Sequence, residues 1–318
     1  MRSNYKVAII ITFLIIVVLG HHYNHLIEKN STVIKSQQQL NDLINQSDNI
    51  TYVFVGTSHT RYGLQTYQLN NSFNLAIPGM TLKEAYARLK YIYASGTNIS
   101  TALVEIDPFF INGYNQKHLK YVELYDEYQQ RQHLLDSKDI ISQIKLFQKV
   151  HYNLLGSGIM YISYIKQDIL NNTAFNETMN RGYISSDRQG NNFKEHAINR
   201  IRMQYNEDNI NLITDDALRH LDEMISLLNE HDTEIIFYTT PMHDEYSKVQ
   251  LSKGFNKSEF YSVIIPTYGE YRYIDGASLQ LNDSHFKDSD HLNRYGAEIT
   301  TRYIIKNLNS TVRLVDVI

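Results

Sequence analysis

The sequence predicts an α/β protein, three layers deep (α/β/α), with a parallel central sheet, an N-terminal membrane anchor helix and a helical insertion. Three observations predict this. Short β-branched and aromatic runs recur along the chain, as at residues 50–55 (ITYVFV) and 233–238 (TEIIFY). Stretches with helical periodicity separate them, and strands alternating with helices imply a parallel sheet with helices on both faces. Pro, Gly and Asp punctuate the chain directly after the runs rather than inside them. With 318 residues, the chain has room for one domain of roughly 200–270 residues plus additions.

The elements follow in order. Residues 7–20 (VAIIITFLIIVVLG) carry no charge and follow Arg2 and Lys6. A basic start followed by an apolar run is an export signal. An uncleaved anchor is one form, with Tyr5 and the stem of Lys6 extending the run toward the ~20 residues a span needs. A signal peptide cleaved after Val18-Leu19-Gly20 is the other. Both place the rest of the chain outside the cytoplasm, with the N-terminus inside in the anchored form. Residues 1–26 are thus read as the anchor and 27–48 as a juxtamembrane stalk. His21, His22 and His25 read as a polar juxtamembrane segment, with metal binding the alternative.

Residues 49–318 form the main domain. Residues 50–55 read as a buried strand ending at Gly56-Thr57-Ser58-His59. Residues 73–77 (FNLAI) read as a second strand, stopped by Pro78-Gly79. Thr81 and Glu84 make a capping box for a helix with Leu82, Ala85, Leu89 and Ile92 on one face. Residues 101–106 (TALVEI) are a third strand, ended by Asp107-Pro108. Residues 112–211 show few strand signals and some helical ones, as at 140–155, and read as a helical insertion or lid. Thr214 caps the next helix, with Leu218, Leu221, Ile225 and Leu228 on one face. Residues 233–238 form the fourth strand, 271–274 a fifth, and a last helix runs from near Asn293 to about Asn307. In such folds, sites form at the carboxyl ends of strands. Gly56–His59, Pro78-Gly79, Asp107 and Pro241–His243 all fall there.

Composition narrows the chemistry. Hydrophobic residues make up 42% and charged residues 20%, an ordinary globular balance. The net charge of −4 provides no basic field, so nucleic acid is not an expected partner. The absence of cysteine removes disulfide scaffolds, zinc ribbons and cysteine nucleophiles. There is no GxxxxGK[ST] and no GxGxxG, so nucleotide use has no support and no cofactor is expected.

Two motifs carry the candidate reaction. Ser58 follows a strand at a turn into a helix, where a hydroxyl is exposed and backbone amides are available to an oxyanion. A helix N-cap is the plainer role for such a serine. The second motif is Asp288-Ser289-Asp290-His291-Leu292-Asn293 before the last helix. Asp288, three residues ahead of His291, can hold the imidazole through its Nδ1 hydrogen and leave Nε2 free to take a proton. An acidic loop with a capping Asp290 or Asn293 is the alternative. His59, His285, Asp288, Asp290 and His291 also have metal-ligand chemistry, and His59, Asp107 and His243 stand where a substrate contact is expected.

Together, Ser58 near the start and Asp288-x-x-His291 near the end resemble the SGNH (GDSL-like) hydrolase family. The His291-Leu292-Asn293-x-x-Gly296 continuation is similar too, and Gly79 falls where that family places its oxyanion-hole glycine. The resemblance covers residues 50–307 without the insertion. It implies an SGNH/flavodoxin-like sheet and a Ser58-Asp288-His291 triad, with an oxyanion hole from the Ser58 and Gly79 amides. The chain departs from the family pattern in reading Gly-Thr-Ser rather than Gly-Asp-Ser. No Gly-x-Asn-Asp follows the third strand, where Glu105-Ile106-Asp107-Pro108 stands instead. Behind an anchor, the resemblance implies acyl transfer or ester hydrolysis on a cell-envelope polysaccharide or other acylated glycan, with a membrane acyl-donor protein as a partner. A catalytically idle glycan-binding or assembly module and a metal-dependent hydrolase are the competing readings.

Overall fold

The computed structural model describes residues 32–112, 178–205 and 213–316. The chain divides into two compact units, residues 1–35 with 123–174 and residues 36–122 with 175–318. The sheet and the site belong to the second.

Seven strands are described: β1 (Asn49–Val55), β2 (Ser72–Asn74), β3 (Asn98–Glu105), β4 (Thr178–Asn180), β5 (Tyr183–Ser185), β6 (Glu234–Thr239) and β7 (Arg272–Asp275). Five of them build one sheet in the order β2-β1-β3-β6-β7, parallel throughout. The helices α1 (Thr32–Gln46), α2 (Ser58–Gly63), α3 (Leu82–Ala94), α4 (Pro108–Ile111), α5 (Phe193–Gln204), α6 (Asp215–Glu230), α7 (Asp244–Ser252), α8 (Lys257–Tyr268) and α9 (Arg294–Lys306) flank and connect it. The expected α/β fold with a parallel central sheet is therefore the observed one. Its middle strands are buried on both faces, as Val53-Phe54-Val55, Ala102-Leu103-Val104 and Ile235-Ile236-Phe237 require.

The sequence signals set the helix ends. Thr81 and Glu84 form the capping box of α3 in both directions. Thr214 caps α6, which buries Leu221, Met224, Ile225 and Leu228 and packs on α3. Asn293 caps α9 through the amides of Tyr295 and Gly296.

Differences lie in two places. The expected anchor, residues 1–26, lies outside the described residues, as does the helical stretch at 140–155. Among the described residues no helix is long and apolar enough to cross a membrane. Within the expected stalk, α1 is helical, and its second half docks on the domain rather than standing clear. Leu40 is fully buried, and Tyr91 donates to Asn41 Oδ1 at 2.8 Å.

The described part of the expected insertion, residues 178–205, contains a β4–β5 hairpin as well as α5. Its two-residue turn, Arg181-Gly182, has φ of 48° and 82°. Both residues sit at positive φ, which the right-handed twist of a tight hairpin demands. Arg181 in the first position hides the turn from a reader looking for Asn-Gly. The hairpin caps the short edge strand β2: Asn74 donates its amide to the Arg181 carbonyl at 2.9 Å. A Cβ on Gly182 would stand 1.9 Å from the Asn74 carbonyl oxygen, so only glycine permits this approach.

Candidate active site

The turn that carries Ser58 is built over a buried acid. After β1, Gly56 leads into Thr57, whose amide donates to Glu105 Oε2 at 2.6 Å and whose hydroxyl donates to the same oxygen at 3.1 Å. A Cβ on Gly56 would lie 2.3 Å from Glu105 Oε2 and 2.2 Å from Thr60 Oγ1, so the residue types at 56 and 105 are coupled. Glu105 ends β3 and is fully buried. Burial pushes its carboxyl up to about 7; His59 opposes this and Asp107 adds to it. Thr57 caps α2 by accepting from the His59 amide. Ser58 is the first residue of α2 and only 4% exposed.

A rigid loop faces that turn. Arg61 of α2 donates to the Ala76 carbonyl at 2.8 Å, and Arg88 of α3 donates to the Leu75 carbonyl at 2.8 Å. Asn74 accepts from the Ala76 amide and donates to the Thr60 carbonyl at 2.9 Å, tying the loop to α2. The chain then reverses through Pro78-Gly79, closed by the Met80 amide on the Ile77 carbonyl at 2.9 Å. Gly79 has φ of 71°, which this turn requires at its third position. The amides of Ser58 and Gly79 donate to no acceptor among the described residues.

The loop that carries Asp288 and His291 lies ahead of α9. His291 Nδ1 donates to Asp288, with oxygens at 2.9 and 3.0 Å, and Asp288 Oδ1 also accepts from the amides of His291 and Asp290. Burial would raise the Asp288 carboxyl, but His291 outweighs it and holds it below the usual carboxylate range. His291 Nε2 is buried and has no hydrogen-bond partner among the described residues. The imidazole packs edge-on to Tyr62 with ring centres 5.1 Å apart and lies 5.6 Å from the ring of His59. Tyr62 is one turn beyond Ser58 on α2, and residues four apart share a helix face. The structure thus brings Asp288 and His291 into direct contact and sets His291 against the helix that Ser58 opens. It forms no hydrogen bond between Ser58 Oγ and His291 Nε2.

The expected substrate contacts are placed differently. The His59 side chain is fully buried, with Nδ1 3.5 Å from Asp107 Oδ2 and 3.7 Å from Glu105 Oε1, and Nε2 3.3 Å from Asp290 Oδ2. Burial alone would lower its pKa; Asp107, Asp290 and Glu105 overcome that and hold it well above the ordinary histidine value. Asp107 caps α4 through the Phe109 amide at 2.7 Å and is itself buried. His243 caps α7, contacts Asp283 Oδ1 at 3.1 Å and stacks on Phe193 with ring centres 3.9 Å apart. It borders an open groove of about 640 Å³ that Phe193, Lys194, Glu195 and Lys248 help to line, and neither Ser58 nor His291 lines it. Tyr246 is fully buried, its hydroxyl donating to Gln204. Tyr62 is half-buried, with Lys287 Nζ 3.8 Å from its ring centre.

Sequence reasoning missed Asp290's partners. Arg200 grips this carboxylate through Nε and Nη2 at 2.7–3.0 Å, and Gln204 Nε2 donates to it at 2.9 Å. His196 Nδ1 meets Ser289 Oγ at 2.9 Å. His196, Arg200 and Gln204 recur every four residues on α5, beside the buried Phe193, Ala197 and Ile201. That polar stripe was the available signal. Asp290 is fully buried; burial would raise it, but His291, His59 and Arg200 hold it well below the ordinary value. Donor atoms of metal-ligand type cluster at His59-Glu105-Asp107, His59-Asp290-His291 and His196-Asp288-Asp290. The second and third of these draw on Asp290, which already accepts from three side chains.

No protein-family model and no curated protein matches the chain. Among solved structures, a "putative acylhydrolase" from Bacteroides fragilis is similar over 82% of this chain and 87% of its own, with 13% identity and a TM-score of 0.37.

Proposed function

We propose that the protein is a serine-dependent acyl-transfer enzyme of SGNH type, with Ser58 as nucleophile, His291 as base and Asp288 as its orienting acid. The observation that carries this is the state of His291: Nδ1 is committed to Asp288, while Nε2 is buried, unpartnered and beside the helix that Ser58 opens. A buried polar atom without a partner is costly, and catalytic groups are a usual reason for it. In the reaction, His291 Nε2 takes the Ser58 hydroxyl proton as Oγ attacks an ester carbonyl. The oxyanion is met by the Ser58 and Gly79 amides, which donate to no other acceptor among the described residues. The C–O bond to the leaving alcohol breaks, and that alcohol leaves with the proton from His291. Water or a sugar hydroxyl then releases the acyl group from Ser58, giving hydrolysis or transfer.

The uncharged run at residues 7–20 behind Arg2 and Lys6 supports an extracytoplasmic site, anchored or secreted. Cell-envelope polysaccharide is accordingly the substrate class we favour, with a membrane acyl-donor protein as the acyl source in transfer. The test is labelling by a fluorophosphonate, mapped by mass spectrometry, with Ser58→Ala as the control. A label at Ser58, lost in the variant along with glycan acylation changes in cells, supports the reading. Equal turnover of an aryl acetate by the variant sinks it. The missing Ser58–His291 hydrogen bond favours one second reading, a catalytically idle glycan-binding or assembly protein on the same fold. It requires glycan binding that survives Ser58→Ala and no label on the native chain.

A further inference from the structure

Asp290 stands between the two halves of the site, and the serine chemistry above does not use it. His59 follows Ser58 in the chain, and Asp290 precedes His291. The contact of His59 Nε2 with Asp290 Oδ2 at 3.3 Å therefore joins the residue after the nucleophile to the residue before the base. We propose that His59 and Asp290 form a positioning pair, a buried histidine–carboxylate contact that sets how Ser58 lies against His291, with Arg200 and Gln204 of α5 fixing the carboxylate. The catalytic consequence rests on the serine reading; the contact itself does not.

The surroundings explain why the pair is stiff. Glu105 and Asp107 face His59 Nδ1 from the end of β3 and the turn after it, Asp290 faces Nε2 from the base loop, and the His291 ring lies 5.6 Å away. Arg200 reaches the cluster through Asp290. Three carboxylates around one imidazole favour its charged form, and a charged ring donates from both nitrogens, which these acceptors on two sides can use. Each acid is also held from behind. Glu105 Oε2 accepts from Thr57, Asp107 Oδ1 from the Phe109 amide, and Asp290 from Arg200 and Gln204. Breaking such a pair by removing one partner leaves an uncompensated buried charge. Because both partners adjoin reacting residues, their displacement moves Ser58 relative to His291.

The experiment uses the full chain with Asp290→Asn, His59→Gln and the double variant. It reads kcat and KM for an aryl acetate, the fluorophosphonate labelling rate, 15N imidazole spectra and metal content. Each single variant is expected to lose about 100-fold in kcat, the scale of a 1 Å misplacement, with KM nearly unchanged. The double variant is expected to be no worse than the poorer single one, as for two members of one contact. Losses that simply multiply, or an unchanged kcat in Asp290→Asn, overturn the pair. Should either variant fail to fold, Arg200→Lys loosens Asp290 without changing any charge, and a fall in kcat at constant KM is expected there too; an unchanged kcat in that variant overturns the pair.

The spectra separate failure of the pair from failure of the serine reading. If the native chain neither turns over nor labels, the serine reading falls and the spectra alone judge the pair. One histidine that stays protonated on both nitrogens above the pH at which an ordinary imidazole has lost its proton, absent in His59→Gln and shifted in Asp290→Asn or Arg200→Lys, upholds it. A singly protonated His59 overturns it, as does a stoichiometric metal ion that is lost in His59→Gln.

Discussion

Two histidines whose rings lie 5.6 Å apart are built for opposite ends. His291 uses one nitrogen to hold Asp288 and keeps the other unpartnered. His59 is enclosed by Glu105, Asp107 and Asp290: Nε2 meets Asp290, and Nδ1, which forms no hydrogen bond among the described residues, lies 3.5 Å from Asp107 and 3.7 Å from Glu105. The difference comes from what each neighbour's second oxygen does. Asp288 turns both oxygens to His291 and also accepts from loop amides, so the ring is aimed while its buried Nε2 is left without a partner among the described residues. Around His59 each carboxylate anchors a different segment and offers the ring one oxygen, so the ring closes the floor of the site. On the proposed reading, adjacent side chains of one type serve one as reagent and the other as strut.

The largest expected effect tests the reagent side. Asp288→Asn preserves shape but presents an amide to Nδ1 and favours the wrong tautomer. Its kcat is expected to fall on the order of 10⁴-fold. Folding is expected to survive, since the loop keeps its other hydrogen bonds. Steady-state turnover of an aryl acetate beside a thermal melt decides it. A loss below tenfold would make the two histidines alike and remove His291 from the reaction.

Much of this arrangement was legible in sequence. The five strands, the capping box at Thr81-Glu84 and the Asp288-x-x-His291 spacing come from local patterns that repeat at short range. What was not legible depends on groups far apart in the chain. Nothing near Asp290 announces Arg200, ninety positions away, and nothing near Thr57 announces Glu105. His59 and Asp107 looked like rim residues because they follow strands; tertiary packing buries them. The β4–β5 hairpin escaped because Arg181 occupies a positive-φ position where Asn or Gly is the expected signal.

The next effect bears on the strut side. Gly56→Ala pushes a methyl group into Glu105 and Thr60, so the turn over the buried acid must shift. A cost of about 2–3 kcal/mol in stability is expected, in the range of overpacked cores. Urea denaturation measures it. Glu105→Gln in the same background is expected to recover little, because the amide is as large as the carboxyl. Full tolerance of Gly56→Ala would mean the floor is softer than the contacts around His59 imply.

Acid and base then separate the carboxylates. Asp288 and Asp290 are depressed in the folded state, so their contribution is present above the ordinary value of 3.8 and is lost as pH falls through their folded values. Glu105 is raised to about 7, so its contribution is present below 4.5 and is lost as pH rises toward 7. Glu105→Gln is expected to flatten the decline between 4.5 and 7, and Asp290→Asn to flatten the loss in acid. Denaturation curves across that range read both. An unchanged slope in Glu105→Gln would detach Glu105 from the charge balance around His59.

The smallest effect comes from a glycine that touches neither histidine. Gly79 is the converse of Gly56: its φ of 71° is strained for any other residue, yet a Cβ there meets nothing within 4 Å. Gly79→Ala therefore pays only for the backbone, about 1 kcal/mol. The amide that would meet the oxyanion is retained, and Arg61, Arg88 and Asn74 still pin the segment before it. A small drop in Tm with kcat/KM lowered less than tenfold is the expected outcome. A fall comparable to that of Asp288→Asn, with the melt unchanged, would mean the turn had rotated its amide away from the reacting carbonyl. The loop carrying Gly79 would then rank with His291 as a reagent, and the contrast drawn between two histidines would extend to a third wall of the site.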